Sequence, residues 1–134
     1  MNEFRNLPAN GKTNVLGLDY KVAAILCYTP ILCASLIASI MFLKTEPKSN
    51  KQLRFHAIQG LGLSMAAIGL GVINSSLMGA LSIALGYYAY SLLAMGSSLI
   101  FLAFIGLCVY AIYCVYNNQE FKLPILGDIA EKNA

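Results

Sequence analysis

The sequence predicts an all-α fold: an integral membrane helical bundle of three transmembrane helices plus a short interfacial segment, with four transmembrane helices as the alternative. Three observations carry that reading. Charged residues make up 11% of the chain against 58% hydrophobic, where a soluble domain carries about 25% charged residues. The charges are also absent from two runs, 22–43 and 57–116, of 22 and 60 residues. A helix needs about 20 apolar residues to cross a bilayer, and a soluble core helix of such length would show a polar stripe. Finally, Tyr87, Tyr88 and Tyr90 form one aromatic group and Tyr110, Tyr113 and Tyr116 another. Tyrosine concentrates where membrane meets water, because its ring is apolar and its hydroxyl is not.

The 134 residues allow one domain. Residues 1–20 read as a polar amino-terminal tail, with Pro8, Asn10, Gly11 and Asn14 and no helical period. Residues 21–117 form the transmembrane helical domain and 118–134 a cytoplasmic carboxy-terminal tail. The first span is expected over 22–43 with Pro30 inside it. Proline removes a backbone N–H and kinks a helix. This run is longer than the ~7–15 residues of a signal-peptide core and follows a polar stretch, so it reads as a span and not as a targeting segment.

A basic loop follows, with Lys44, Lys48, Lys51 and Arg54 against Glu46, and with Pro47 and Asn50 as turn residues. The long run divides into a second span over 55–76, an interfacial segment over 77–90 and a third span over 91–116. The four-span alternative would turn at 74–76 and again at 96–98. An excess of Lys and Arg marks cytoplasmic loops, which places loop 44–54 in the cytoplasm. With three spans the carboxy terminus joins it.

Several features are candidates for function. Cys27, Cys33, Cys108 and Cys114 lie in expected spans without histidine or carboxylate beside them. They read as small buried hydrophobes and not as metal ligands. No metal and no cofactor is expected. The second span carries small residues at i,i+4: Gly60 with Ser64, Gly62 with Ala66, Ala67 with Gly71. That spacing lets helices approach closely in lipid, either within the chain or in self-association. No ionisable residue falls at mid-span, which argues against a proton relay or ion-coupled transporter. The basic residues flank spans, so they read as topology signals and lipid contacts, not as a nucleic-acid surface.

Two segments stand out. Arg54, Phe55, His56 and Gln59 open the second span, with His56 and Gln59 on one helix face. Near the other end, Leu123, Pro124, Gly127 and Asp128 form a patterned tail in which Pro124 and Gly127 are expected to turn the chain. Asp128 is expected to approach Arg54 or His56 and clamp the two segments.

Together, Arg54-Phe55-His56-Ala57-x-Gln59-Gly60 and Lys122-Leu123-Pro124-x-x-Gly127-Asp128, with Tyr28-Thr29-Pro30-Ile31-Leu32 ahead of them, resemble a family of small bacterial membrane proteins of unknown function. That family is related to the Tic-twenty component of the chloroplast inner-envelope translocon. The resemblance covers roughly residues 20–132. It implies a multi-pass protein of the bacterial cytoplasmic (inner) membrane, or of a plastid or thylakoid membrane. The chloroplast relative is thought to help form or scaffold a protein-conducting assembly, but it has an additional amino-terminal span, so a channel role does not transfer directly. The family supplies no catalytic residues.

The expected function is therefore non-enzymatic: an accessory or scaffold subunit whose partners are the lipid bilayer and other membrane proteins or itself. A pore or translocon component is the alternative, with Asn74, Ser75, Ser97 and Ser98 as candidate lumen residues. A membrane enzyme is disfavoured, since no nucleophile–base or metal constellation stands in the sequence.

Overall fold

A computed structural model of the protein describes residues 11–14, 16–119 and 121–134. The described residues are helical apart from turns and one isolated bridge between Lys12 and Asp19. The helices are α1 (Tyr20–Cys27), α2 (Leu32–Thr45), α3 (Lys51–Tyr88), α4 (Tyr90–Tyr116) and α5 (Leu126–Asn133).

The expected first span over 22–43 is not one helix. It is divided between α1 and α2 at Tyr28–Ile31. Pro30 has no N–H to give, and its ring disfavours helical backbone at Thr29. The N–H groups of Tyr28 and Thr29 close instead on Ile25 O and Leu26 O, at 3.0 and 3.3 Å, which tightens the end of α1. The Thr29 hydroxyl donates to Ile25 O at 3.3 Å. Past the break the chain reverses. Ser35 in the first turn of α2 meets Ser64 at 2.8 Å. At the other end of α2, Arg54 Nη1 donates to Leu43 O at 2.9 Å. α2 therefore runs antiparallel to the first turns of α3.

Two helices, α3 and α4, are long and apolar enough to cross a membrane, not three. The expected interfacial segment over 77–90 is also helical. The run Lys51–Tyr116 holds one non-helical residue, Gly86, with φ 77° and ψ −177°. That region of backbone space is open essentially to glycine alone. Gly86 turns the run into a hairpin. Ser97 Oγ donates to Asn74 Oδ1 at 2.8 Å, whereas 23 residues of unbroken helix would hold those side chains about 35 Å apart. The sequence reading ends the second span at 76 and assigns 77–90 to the interface, whereas the helix runs on past 76 and the chain reverses only at Gly86, beside the tyrosines at 87–90. It needs one glycine to do so, not a separate segment.

The core sits at the open end of this hairpin, which we call the base. Ala23, Ala24 and Cys27 of α1 and Phe42 of α2 are buried there against Leu53 and Ala57 of α3 and Ala111 and Cys114 of α4. The tail closes the base with Phe121 and Leu123. Beyond Ser64 the hairpin stands clear of the other elements, and Leu70, Ile73, Leu77, Ile83 and Leu99 are all exposed.

Candidate functional site

The corner at Arg54–Gly60 and the tail at Phe121–Asp128 come together at the base. Each residue of the corner holds a different element. Arg54 caps α2: its Nη1 donates to Leu43 O and, at 3.3 Å, to Glu46 O. The last carbonyls of a helix lack intrahelical partners and carry partial negative charge, so a guanidinium fits there. Glu46 is itself buried, accepting from Asn14 N–H at 2.8 Å and from Asn50 Nδ2 at 3.0 Å. Phe55 is buried with its ring edge-on to His56, the centroids 5.5 Å apart.

His56 and Gln59, one turn apart on α3, grip Tyr28, which caps the end of α1. Tyr28 Oη lies 3.1 Å from His56 Nδ1 and donates to Gln59 Oε1 at 3.1 Å. A hydroxyl has one proton. With that proton committed to Gln59, His56 Nδ1 must carry the hydrogen that Tyr28 Oη accepts, which assigns the histidine tautomer by inference. All three side chains are buried. Gly60 lets α1 approach: a Cβ there would lie 2.5 Å from Cys27 O and 2.8 Å from Cys27 Cβ.

The tail packs on the same spot. Phe121 stands edge-on to Tyr28 at 5.6 Å and to Tyr110 at 5.9 Å, so one ring joins α1 to α4. Leu126 lies over Gly62, where a Cβ would come within 2.6 Å of it. Gln59 Nε2 is buried without a hydrogen-bond partner and would be 3.2 Å from a Cβ on Gly127.

Gly127 does not turn the chain. It lies inside α5, buried, and a side chain there would collide with Lys122 Cγ. The turn falls on Ile125, with φ 70° and ψ −58°, where Leu126 N–H closes on Pro124 O at 2.8 Å. This is the rarer, strained form of γ-turn, on a β-branched residue. It aims Leu126 back at Gly62. Sequence inspection had no signal for it, because the residue types that favour positive φ are absent at 125.

Asp128 is exposed and pairs with Lys122 at 2.7 Å, not with Arg54 or His56, and Lys122 also meets Glu131 at 3.0 Å. The hydrogen-bonded Lys122 ammonium holds the Asp128 carboxyl below its ordinary value, and the two carboxylates hold Lys122 above its own. The clamp between corner and tail is made of packing at Gly62–Leu126 and Tyr28–Phe121.

Of the small-residue pairs, Gly60 and Ser64 pack within the base, on Cys27 and Ser35. Ala66 and Gly71 are exposed and Ala67 is half-buried. Cys27, Cys108 and Cys114 are buried and Cys33 is exposed. Among the described residues no three His, Cys, Asp or Glu side chains converge.

Polar side chains at the base are thus spent on joining helices, while large apolar side chains along α3 and α4 beyond Ser64 are turned outward. That division defines a helical membrane protein, whose outer solvent is lipid. Relatives bear the same description. The chain is 37% identical to a UPF0132 membrane protein of Methanocaldococcus jannaschii over 91% of its own length and 94% of the relative's. It is 33% identical to a second UPF0132 membrane protein of that archaeon, over 87% and 71% of the two chains. A third, from Archaeoglobus fulgidus, is 34% identical over 72% and 81%. The chain belongs to the UPF0132 membrane protein family. These relatives are archaeal, where the motifs resembled bacterial proteins, and their names carry no activity. No family model and no solved structure matches the chain.

Proposed function

We propose that this is a non-enzymatic, multi-pass membrane protein that serves as an accessory or scaffold subunit, docking on other membrane helices through the outer face of its hairpin. One observation carries the reading. Asn74 is exposed, its Oδ1 accepts from Ser97, and its amide nitrogen has no partner among the described residues. It stands 12 residues from Gly86, about 18 Å along the helix, near the middle of a hydrocarbon layer about 30 Å thick. An amide donor left bare in hydrocarbon costs about 4–8 kcal/mol. A neighbouring transmembrane helix that accepts from Asn74 removes that cost, and polar side chains do join helices in this way. Gly71 one turn below leaves open space for a close approach.

A photoreactive residue at Ile73, in native membranes, tests the reading. It should form protein adducts, with a second copy or another membrane protein, and Asn74→Leu should abolish them. Lipid adducts alone in both proteins would refute it. The translocon alternative is supported only by the polarity of Asn74, Ser75, Ser97 and Ser98, and it requires conductance in reconstituted bilayers.

A further inference from the structure

The chain entering α1 and the chain leaving α2 meet at one end of the molecule. Asn14 donates its backbone N–H to Glu46 Oε1 at 2.8 Å and its side-chain amide to Thr45 O at 3.4 Å. Had 20–45 formed one span, its ends would stand about 39 Å apart. The six residues from Asn14 to Tyr20 reach about 21 Å at full extension. They are not extended, because Thr13 N–H closes on Leu18 O at 2.8 Å. The start of α1 agrees: Lys21 Nζ reaches Tyr116 O, at the base end of α4, at 3.5 Å. α1 and α2 therefore run out and back, and the contact between Ser35 and Ser64 sets their tip level with Ser64.

Above that level the hairpin alone has the dimensions of a membrane. Ser64 is 22 residues from Gly86, about 33 Å of helix, and the hydrocarbon layer is about 30 Å thick. Tyr88 and Tyr110, in the two tyrosine groups, are also 22 positions apart. Charge follows the same boundary. Of the nine Lys and Arg residues, Arg5 falls outside the described residues, and the other eight all lie within 12–54 or 122–132, at the base. None lies at the Gly86 tip.

We infer that only the α3–α4 hairpin crosses the bilayer, from the level of Ser64 and Tyr110 at the base to the Gly86 tip, and that α1–α2 is a non-crossing helical hairpin. It is held at the same membrane face as residue 11, loop 44–54 and the carboxy terminus. The base faces the anionic headgroups of the cytoplasmic leaflet, which attract Lys and Arg. The break between α1 and α2 fits that depth. Pro30 and Ile31 are exposed where regular helix hydrogen bonding lapses, and bare backbone is excluded from hydrocarbon but accepted among hydrated headgroups.

Thiol labelling in oriented vesicles tests this. Cys33 is exposed and the other cysteines are buried, so Cys33→Ala provides the background for single cysteines replacing Lys12, Lys48, Tyr88 and Asn133. With a membrane-impermeant maleimide, the first, second and fourth should label in inside-out vesicles, and the Tyr88 site in right-side-out vesicles. Labelling of the Lys12 and Lys48 sites from opposite faces would overturn the inference, as would labelling of the Tyr88 and Lys48 sites from the same face. Epitope tags ahead of Met1 and after Ala134, probed by protease in the same vesicles, give a substitution-free readout. Both should be cleaved from one face, and cleavage from opposite faces again overturns the inference.

Discussion

Asn14 and Glu46 lie 32 positions apart in sequence, yet the backbone N–H of one donates to the carboxylate of the other at 2.8 Å. That bond closes the α1–α2 excursion, and Glu46 is buried in making it. Replacing Glu46 with Leu removes the acceptor for both Asn14 and the Asn50 side chain. Asn14 is exposed and Asn50 half-buried, so water takes up part of the loss and the cost falls below the about 1–3 kcal/mol of a fully buried orphaned donor. The expected result is faster hydrogen exchange at Asn14 and lower resistance to unfolding in mild detergent. Unchanged exchange at Asn14 would show that the bond does not hold the segment.

The second expectation concerns Tyr28. Tyr28→Phe keeps the ring against Phe121 but removes the hydroxyl shared by His56 and Gln59. Both partners stay buried, so the loss should be about 1–3 kcal/mol of stability. Reversible unfolding in detergent measures it. Replacing Gln59 by Leu in the same protein should recover part of the loss, because the orphaned amide is then gone. Additive effects of the two changes would contradict the coupling.

Glycines at three depths should respond differently to alanine. At Gly60 the new Cβ meets the Cys27 backbone at 2.5 Å, so α1 must move, and overpacking of this kind costs about 1–3 kcal/mol. At Gly62 it meets only the Leu126 side chain, which can turn aside. At Gly69 it meets nothing within 4 Å, and alanine there should be neutral or stabilising by up to about 1 kcal/mol. Thermal unfolding should rank Gly60→Ala the most damaging of the three. Equal effects would mean that α1 does not press on α3.

Ile125→Gly should tighten the tail. A strained backbone position costs about 1–3 kcal/mol, and glycine adopts positive φ freely. Ile125 is 75% exposed, so little packing is lost. Protease cleavage in 121–134 should slow, and faster cleavage would argue against strain at this turn.

The pair Lys122–Asp128 gives a pH expectation. The Asp128 carboxyl is held below its ordinary value by the Lys122 hydrogen bond and charge. A depressed carboxylate contributes stability above its unfolded pKa and loses it as pH falls through the folded value. Tail protection at neutral pH should therefore exceed that of Asp128→Asn, modestly and less at high salt, because exposed pairs are screened. The difference should vanish on acidification below the ordinary carboxylate range. A carboxyl titration midpoint at or above the ordinary value would contradict the pairing.

How much of this was legible in sequence follows from what each signal encodes. The absence of charge over 57–116 marks lipid-compatible helix, and the tyrosines at 87–90 lie beside the reversal at Gly86. Both readings rest on local composition. The run 22–43 is equally free of charge, but composition does not say whether a helix continues or doubles back. That was decided by Pro30 together with Ser35 meeting Ser64 and Asn14 meeting Glu46, which are pairings of distant residues. The corner at Arg54–Gln59 was visible as polar residues of fixed spacing, but its partner Tyr28 was not, because a tyrosine within an apolar run looks like any other. Gly127 reads as a turn glycine in the sequence, but it packs inside α5. A close packing contact and a turn both call for glycine, and only the fold distinguishes them.

The central claim is that α1–α2 leaves and returns at one membrane face. It is tested most directly by the distance between spin labels at positions 12 and 48 in lipid vesicles, read by pulsed dipolar spectroscopy. A returning hairpin places both labels at the base, within about 30 Å allowing for label length, since no crossing helix of about 39 Å separates them. A distance distribution centred near 40 Å or more would mean that residues 20–45 cross the bilayer, and the account would be wrong.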